Sequence, residues 1–252
     1  MQHKPRKHFG QNFLISQPII NNILHALHLS RTDHVLEIGP GLGALTLPLL
    51  QILDTLTAIE IDKDLYAYLI QKNIHTLKIF NIDALNFAYA TLTPNTRIIG
   101  NLPYNISTPL LLCLLKHCNL IKDMHFMLQK EVAYRLAAEP GNKNYGKLSV
   151  IVQYQCLVEL LFNVDAQAFK PIPKVDSSFI RLTPYVQSPY PKVPLNLLEK
   201  VVTQAFSTRR KTLSNSLKPL FDQQTLSKHG INPQARAEQL SIMDYVRLSQ
   251  TL

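Results

Sequence analysis

HVLEIGPGLG, residues 34–43, is the stretch that decides the fold of this 252-residue chain. HVLEI is rich in β-branched and apolar residues and predicts a buried strand, whereas residues 42–53 have apolar side chains at helical spacing. Between them, Gly39, Gly41 and Gly43 are three of only eight glycines in the chain. Glycine lets the backbone turn tightly and approach a ligand where a Cβ would collide. We therefore predict a ligand-binding loop between a strand and a helix.

Strand-like and helix-like segments alternate downstream of this loop. Further strands are predicted at residues 55–61, 75–80, 96–102 and 124–129, with helical spacing between them. This alternation is typical of βαβ units and predicts a Rossmann-like α/β domain, with a parallel sheet and helices on both faces. Two later β-rich stretches are predicted to complete the sheet, residues 148–164 and 177–185.

A proline-rich segment divides the chain. TPYVQSPYPKVP, residues 183–194, holds four prolines in a polar run, which is typical of an interdomain linker. Beyond it the apolar residues have helical spacing. We predict two domains: residues 1–186, the Rossmann-like domain with a basic N-terminal arm, and residues 187–252, a small C-terminal all-α domain.

Positive charge is concentrated at the two ends of the chain. Residues 1–32 hold four Lys or Arg and no acidic residue, residues 33–186 hold thirteen of each sign, and residues 187–252 hold nine bases and four acids. Neutralisation of phosphates supplies most of the sequence-independent affinity for nucleic acids. The pattern favours an enzyme core with flanks that bind a polyanion, and a merely basic, soluble surface is the alternative.

Neither a membrane segment nor a metal site is expected. No apolar run reaches the roughly 18 residues of a membrane-spanning helix, and no signal-peptide core follows the basic opening MQHKPRKHFG. We expect a soluble, cytoplasmic protein that binds no membrane. Cys113, Cys118 and Cys156 form no CxxC pair, so neither a zinc site nor a disulfide framework is indicated.

Carboxylates follow the next two predicted strands. Glu60 could accept hydrogen bonds from both hydroxyls of a ribose, and Asp83 could accept one from the exocyclic amine of an adenine. Without a ligand, Glu60 would be a solvated strand end and Asp83 a helix N-cap. Because Gly39-x-Gly41-x-x-Ala44 also satisfies the dinucleotide fingerprint, the glycines leave NAD and S-adenosylmethionine as alternatives.

Gly100-Asn-Leu-Pro-Tyr104 follows the fourth predicted strand and indicates chemistry on a base. The lone pair of adenine N6 is delocalised into the ring, so a catalyst must localise it. The side-chain oxygen of Asn101 and the backbone carbonyl of Leu102 could each accept one N6 hydrogen as the nitrogen attacks a sulfonium methyl. Pro103 has a fixed φ and could hold that carbonyl. Tyr104 could stack on an extruded adenine.

Five segments carry a resemblance to a known family: HFGQNFL (8–14), EIGPGLG (37–43), NLPY (101–104), PKVDSS (173–178) and FSTRRKTL (206–213). In these segments the chain resembles the KsgA-type ribosomal RNA adenine N6-dimethyltransferases, over nearly its full length. The resemblance implies S-adenosylmethionine as cofactor and two adjacent adenosines near the 3′ end of small-subunit (16S) ribosomal RNA as substrate. It also implies a role in assembly of the 30S particle, and we expect a monomer.

The resemblance implies roles for particular residues as well. It implies a cofactor site formed by Gln11, Asn12, Leu14, Gly39, Gly41, Glu60, Asp83 and Asn101. Asn101 and Tyr104 would take the target base, and Phe179 is considered as a second stacking face, although such a strand residue is more often core. The basic residues expected to bind RNA phosphates are Lys4, Arg6, Lys7, Arg209, Arg210 and Lys211.

Three other functions remain open at the level of sequence. A nicotinamide-dependent oxidoreductase would need a proton-transfer residue beside the hydride path. No histidine lies at the carboxyl end of a predicted strand, where such a residue would be expected. A non-catalytic RNA-binding assembly factor would keep the basic ends without needing Asn101. A large-subunit rRNA adenine methyltransferase would share the turn after Asn101, but Arg209, Arg210 and Lys211 favour the small-subunit branch.

Overall fold

A computed structural model describes residues 5–6, 9–103, 106–208 and 210–252. Its strands are β1 (Phe13–Leu14), β2 (Val35–Ile38), β3 (Leu56–Glu60), β4 (Leu77–Asn81), β5 (Thr96–Asn101), β6 (Ile121–Gln129), β7 (Cys156–Val164), β8 (Phe169–Lys170) and β9 (Ser177–Pro184). Its α-helices are α1 (Gln17–Leu27), α2 (Thr46–Leu49), α3 (Lys63–Ile70), α4 (Ser107–Leu114), α5 (Lys130–Leu136), α6 (Lys147–Gln155), α7 (Leu195–Ala205), α8 (Leu213–Ser216), α9 (Gln223–Lys228) and α10 (Ile242–Ser249).

One seven-stranded sheet has the order β4-β3-β2-β5-β6-β9-β7. The five strands from β4 to β6 pair in parallel, and β9 pairs antiparallel to β6. The predicted Rossmann-like α/β fold is therefore confirmed. The chain builds outward from β2 in one direction through β3 and β4, then returns to add β5 on the other side of β2. Ligands bind outside the carboxyl ends of the strands at such a reversal.

The main core lies beside β2 and β5. Helix α1 buries Ile20, Ile23 and Leu27, which recur at helical spacing and pack with the apolar residues of the sheet. Phe179 belongs to the same core, with 1% of its surface exposed and its ring centroid 5.3 Å from that of Phe162. The structure therefore gives Phe179 a packing role and not the stacking role considered for it.

The chain forms two compact units, whose bounds differ from the predicted domains. The first unit contains Met1–Ala133 and Glu159–Pro184, and the second contains Tyr134–Val158 and Tyr185–Leu252. The predicted boundary after residue 186 lies close to one of these divisions. However, residues 134–158 were expected in the first domain and belong to the second unit.

Direct contacts explain why residues 134–158 belong with the C-terminal helices. Helix α6 packs against α7 and α10. The Val193 N–H donates to the Tyr154 hydroxyl at 3.0 Å, and the Gly141 N–H donates to the Glu238 carbonyl at 2.7 Å. The predicted linker is thus fixed at Val193 by a residue that precedes it by 39 positions.

The strand predicted at residues 148–164 is wrong in its first half, because residues up to Gln155 form helix α6. Only residues 156–164 form a strand, β7. Val150, Ile151 and Val152 are consecutive in α6 and all fully buried. A helix that is buried on several sides has no polar face, so its sequence does not show the helical period.

A buried ionic cluster fixes the beginning of β5. Arg97, with 5% of its side chain exposed, donates to both Asp123 oxygens at 2.9 and 2.8 Å and to Asp33 Oδ2 at 3.0 Å. It also donates to the Leu27 carbonyl at the end of α1, at 2.6 Å. Burial opposes ionisation of Asp123, but the neighbouring His125 and Arg97 outweigh it and lower the pKa of Asp123 to about 2. Arg97 therefore joins β5, β6 and α1.

We expect Arg97→Met to lower the free energy of unfolding by about 3 to 5 kcal/mol, because it leaves buried carboxylates without their partner. Urea denaturation of the full chain measures this loss. Arg31→Gln is the matched control, since Arg31 pairs with Asp54 at 2.5 Å on the exposed surface. Equal stabilities of the two variants would show that the buried cluster contributes nothing special.

Candidate active site

A cavity of about 300 Å³ lies at the carboxyl ends of β2, β3 and β5. Strand ends of a parallel sheet meet at one edge, so residues far apart in sequence face one space. The predicted site residues in its walls are Gln11, Asn12, Gly39, Gly41, Glu60, Asp83, Asn101, Leu102 and Pro103. Two predicted residues are not among these: Leu14 lies elsewhere, and Tyr104 is outside the described residues.

The glycine loop after β2 brings the backbone close to the cavity. Gly39, Gly41 and Gly43 have φ of +70°, +58° and +88°, a region that L side chains rarely adopt. A Cβ at Gly41 would lie 3.2 Å from Cδ1 of Phe13. A side chain at Gly41 would therefore crowd the ring of Phe13, so glycine suits the close approach of the loop to this segment.

The Glu60 carboxylate is held by two backbone groups. The Asp62 N–H donates to Oε1 at 2.9 Å, and the Gly41 N–H donates to Oε2 at 3.1 Å. Burial raises the pKa of Glu60, although these two hydrogen bonds partly offset that effect. Each oxygen of a carboxylate has a further lone pair. Glu60 can therefore accept two hydroxyls from the cavity while it keeps both backbone donors.

Asp83 forms the helix cap that the sequence offered as one of its two alternatives, and it lies where the other role would be possible. Its Oδ1 accepts from the Leu85 N–H at 2.9 Å and caps a short 3₁₀ helix, Ala84–Asn86. Asp83 also lies in the cavity wall. The cap fixes the side chain, and the carboxylate keeps further acceptor capacity toward the cavity.

Asn101, the last residue of β5, has its amide oriented by the N-terminal segment. Its Nδ2 donates to the Asn12 carbonyl at 2.9 Å. One end of an amide donates and the other accepts. With Nδ2 on Asn12, the side-chain oxygen is the atom of Asn101 that can accept a hydrogen from a ligand.

The turn after Asn101 is also anchored. The Leu102 N–H donates to the Met127 carbonyl at 3.2 Å, and the Leu102 side chain is buried. The Ile106 N–H donates to the Pro103 carbonyl at 3.2 Å. Both contacts fix the backbone that carries the Leu102 carbonyl.

A side cavity of about 40 Å³ holds a residue that was not predicted as functional. Leu14 and Glu37 line it, together with Gly39 and Asn101. Glu37 is 2% exposed, and its Oε2 has no hydrogen-bond partner among the described residues. Burial raises its pKa to about 7, and the charge of Glu60 adds to the shift. The signal in the sequence was a carboxylate inside a buried strand.

The basic residues predicted to bind RNA have different surroundings. Lys4, Lys7 and Arg209 lie outside the described residues. Arg210 and Lys211 are exposed, just before helix α8. The remaining residue, Arg6, is ion-paired with Asp62 and Asp64.

Arg6 lies against helix α3. Its Nη2 is 2.5 Å from Asp64 Oδ2, and its Nη1 is 3.4 Å from Asp62 Oδ1. Two carboxylates thus already compensate the charge of Arg6, which the sequence had assigned to RNA.

Comparison with known proteins assigns the family. The model of the ribosomal RNA adenine dimethylase family matches residues 2–252. The chain belongs to this family. It is therefore a ribosomal RNA adenine methyltransferase, and membership of the family implies use of S-adenosylmethionine. Ribosomal RNA small subunit methyltransferase A of Legionella pneumophila (strain Philadelphia 1) is 53% identical over 99% of this chain and 98% of its own length.

Two solved structures resemble this member of the dimethylase family along most of its length. A dimethyladenosine transferase from Plasmodium falciparum has a TM-score of 0.81 at 27% identity, over 93% of this chain and 95% of its own. The 23S rRNA methyltransferase ErmE has a TM-score of 0.71 at 25% identity, over 96% and 99%. The fold is thus shared with a dimethyladenosine transferase and with a methyltransferase named for 23S rRNA.

Among the described residues, no helix is both long and apolar enough to cross a membrane. Within the same residues, His, Cys, Asp and Glu form no group of three or more that could hold a metal ion.

We expect Glu37→Gln to change how stability depends on pH. A carboxyl whose pKa is raised on folding stabilises the folded state while protonated, and this contribution is lost as pH rises from its ordinary pKa of about 4.5 to about 7. The free energy of unfolding of the wild type should therefore fall by about 3 kcal/mol across this window relative to Glu37→Gln. Denaturation of the two ligand-free proteins at pH 5 and pH 8 measures the difference. Parallel pH dependences would show that Glu37 keeps an ordinary pKa.

Proposed function

We propose that this chain transfers methyl groups from S-adenosylmethionine to N6 of two adjacent adenosines in a hairpin near the 3′ end of 16S ribosomal RNA. It does so in the cytoplasm, as a monomer that acts on the assembling 30S particle. The relative from Legionella pneumophila, named for the small subunit and matched from end to end, supports this choice of RNA.

The charge of the cavity wall supports the choice of cofactor. Glu60 and Asp83 lie in the wall, Glu37 lines the side cavity, and the described residues of both walls include no Lys or Arg. An acidic wall suits a cationic nucleoside and opposes the pyrophosphate of a dinucleotide. S-adenosylmethionine carries a sulfonium and an ammonium, and its ribose and adenine match the acceptors Glu60 and Asp83. The glycine loop did not distinguish the two cofactors, but these charges favour S-adenosylmethionine.

The main support for the proposed reaction is the hydrogen bond from Asn101 Nδ2 to the Asn12 carbonyl, because it leaves the side-chain oxygen of Asn101 as the atom that can accept a hydrogen from the substrate. S-adenosylmethionine, when bound, supplies an electrophilic methyl group. The side-chain oxygen of Asn101 accepts one N6 hydrogen of the target adenine, and the Leu102 carbonyl accepts the other. These acceptors draw the N6 lone pair out of conjugation and stabilise the positive charge that develops on nitrogen. No general base is required, because the methylated amine is acidic enough to lose its proton to water.

Substrate capture is assigned to two parts of the chain. Tyr104 stacks on the extruded adenine, and phosphates of the RNA contact Arg209, Arg210 and Lys211 together with Lys4 and Lys7 of the N-terminal segment. The exposure of Arg210 and Lys211 supports this role. Arg6 is the weakest member of the set, because Asp62 and Asp64 already pair with it.

We expect Asn101→Ala to reduce methyl transfer by about a hundredfold or more, the scale seen when a transition-state contact is removed. Cofactor binding should weaken much less, because only one neutral hydrogen bond to Asn12 is lost. The assay uses labelled S-adenosylmethionine and under-methylated small subunits, followed by mapping of the modified base. Asn21→Ala, on the exposed face of α1, is the control.

The same assay separates the competing functions. Methyl transfer to large-subunit RNA instead would indicate a large-subunit methyltransferase, like ErmE. Binding of RNA without methyl transfer would indicate a non-catalytic assembly factor. If Asn101→Ala retained full turnover, its role at N6 would be wrong.

We expect simultaneous replacement of Arg209, Arg210 and Lys211 by Gln to weaken binding to the small subunit. Each lost phosphate contact should flatten the slope of log affinity against log salt by about 0.7 to 0.9. The control replaces Lys192, Lys200 and Lys228, which are exposed in the same unit, and makes the same change in net charge. Equal slopes in both triple variants would assign the effect to overall charge and refute a local contact.

A further inference from the structure

The described N-terminal residues, 5–6 and 9–13, form an arm that supplies part of the cavity wall. Phe9 to Phe13 all line the cavity. The arm contacts the glycine loop through Phe13, whose Cδ1 lies 3.2 Å from the position that a Cβ at Gly41 would take. The Asn12 carbonyl of the arm accepts a hydrogen bond from the side-chain amide of Asn101. The position of this arm therefore bears on both the cavity and the amide that closes β5.

The arm is anchored to the beginning of α3 by one buried carboxylate, Asp62. Its Oδ2 accepts from Gln11 Nε2 at 2.9 Å, and its Oδ1 lies 3.4 Å from Arg6 Nη1. Its side chain is fully buried. Arg6 and Gln11 are also joined to each other, since the Arg6 N–H donates to Gln11 Oε1 at 2.8 Å. Asp62 thus holds two residues of the arm at once.

Asp62 also belongs to the fixed part of the site. Its Oδ1 accepts from the Asp64 N–H at 2.9 Å and caps α3, and its own N–H donates to Glu60 Oε1 at 2.9 Å. The same residue, Asp62, therefore anchors the arm through its side chain and holds the Glu60 carboxylate through its backbone N–H. The arm and the acceptor at the end of β3 share one support.

We propose that Asp62 is a positioning residue, which closes the N-terminal arm over the cofactor and thereby orients the Asn101 amide through Asn12. Arg6 acts in this anchor and not as an RNA contact. The proposal rests on the proposed function, in that the cavity binds S-adenosylmethionine and Asn101 assists N6.

The expected size of the effect follows from the population of the closed arm. The apparent dissociation constant of a ligand equals its intrinsic value divided by the fraction of protein that is competent to bind. Loss of a buried, charge-assisted hydrogen bond shifts such an equilibrium by about tenfold or more. Cofactor affinity should fall by up to that factor, the full loss being reached where the open arm predominates in the variant, even when no RNA is present.

The first test is Asp62→Asn in the full chain. Asn caps helices as well as Asp does, so α3 keeps its cap, but the introduced amide loses the charge that Arg6 pairs with and opposes the Gln11 donor. We expect S-adenosylmethionine to bind measurably more weakly by calorimetry without RNA, by up to about tenfold. In the transfer assay, KM for the cofactor should rise and kcat should fall. Asp222→Asn, at the cap of α9, is the control and should bind like the wild type.

The second test asks whether Asp62 acts through the arm. Gln11→Glu combined with Asp62→Asn restores the hydrogen bond with its direction reversed, and the new carboxylate still accepts from the Arg6 N–H. Each single variant should bind the cofactor more weakly than the double variant does. Such coupling is a property of the pair, and a purely structural role of Asp62 does not produce it.

The third test uses Arg6→Gln, which removes no core residue. We expect weaker cofactor binding without RNA, whereas Arg31→Gln, which also loses an Arg–Asp pair, should show no change. Wild-type cofactor affinity in Arg6→Gln, with a flatter salt slope for RNA binding, would make Arg6 an RNA contact and overturn the proposal. Wild-type affinity in Asp62→Asn would overturn it as well. If the wild type itself did not bind S-adenosylmethionine, the proposed function would fail instead.

Discussion

The absence of a side chain at Gly41 is the constraint on which the site depends. The Gly41 N–H holds one oxygen of Glu60, and the space beside its Cα is taken by the ring of Phe13. A positive φ at this position suits glycine and few other residues. The loop after β2, the carboxylate at the end of β3 and the N-terminal segment therefore meet at one backbone position. A Cβ there would crowd the ring of Phe13, 3.2 Å away, in addition to the strain of the positive φ.

Charge is separated within this molecule in a way that matches two ligands of opposite sign. The chain carries a net charge of +9, yet the described walls of its main cavity hold only carboxylates as charged groups. Desolvation by burial raises the pKa of Glu37 and Glu60, and the charge of Glu60 adds to the shift at Glu37. A bound cation would favour the ionised form of these carboxylates, whereas the exposed basic residues outside the cavity suit a polyanion. The proposed cofactor and RNA would thus be attracted to different groups of the protein.

The strands of the seven-stranded sheet, their order along the chain and the residues at their carboxyl ends could be predicted because β-branched runs and glycine spacing are local signals, whereas the short strands β1 and β8 could not. Helix α6 could not, since burial of Val150, Ile151 and Val152 removes the polar face that reveals a helix. The membership of residues 134–158 depends on contacts such as Tyr154 with Val193, which link distant positions. The ion pairs of Arg6 were missed for the same reason. The sequence shows that a basic residue is present, but only the fold shows which acidic residue it contacts.

Strand β5 carries a buried ionic cluster at its beginning and the Asn101 amide at its end. Arg97 and Asn101 are four residues apart, and β2 and β6 pair with the strand on its two sides. A slip of one residue in this pairing would remove Arg97 from its carboxylates and carry Asn101 about 3.3 Å along the strand, beyond hydrogen-bonding reach of Asn12. A misaligned ladder is therefore penalised by an unpaired buried charge. The ionic cluster specifies the register of β5, and with it the place of the amide at the opposite edge of the sheet.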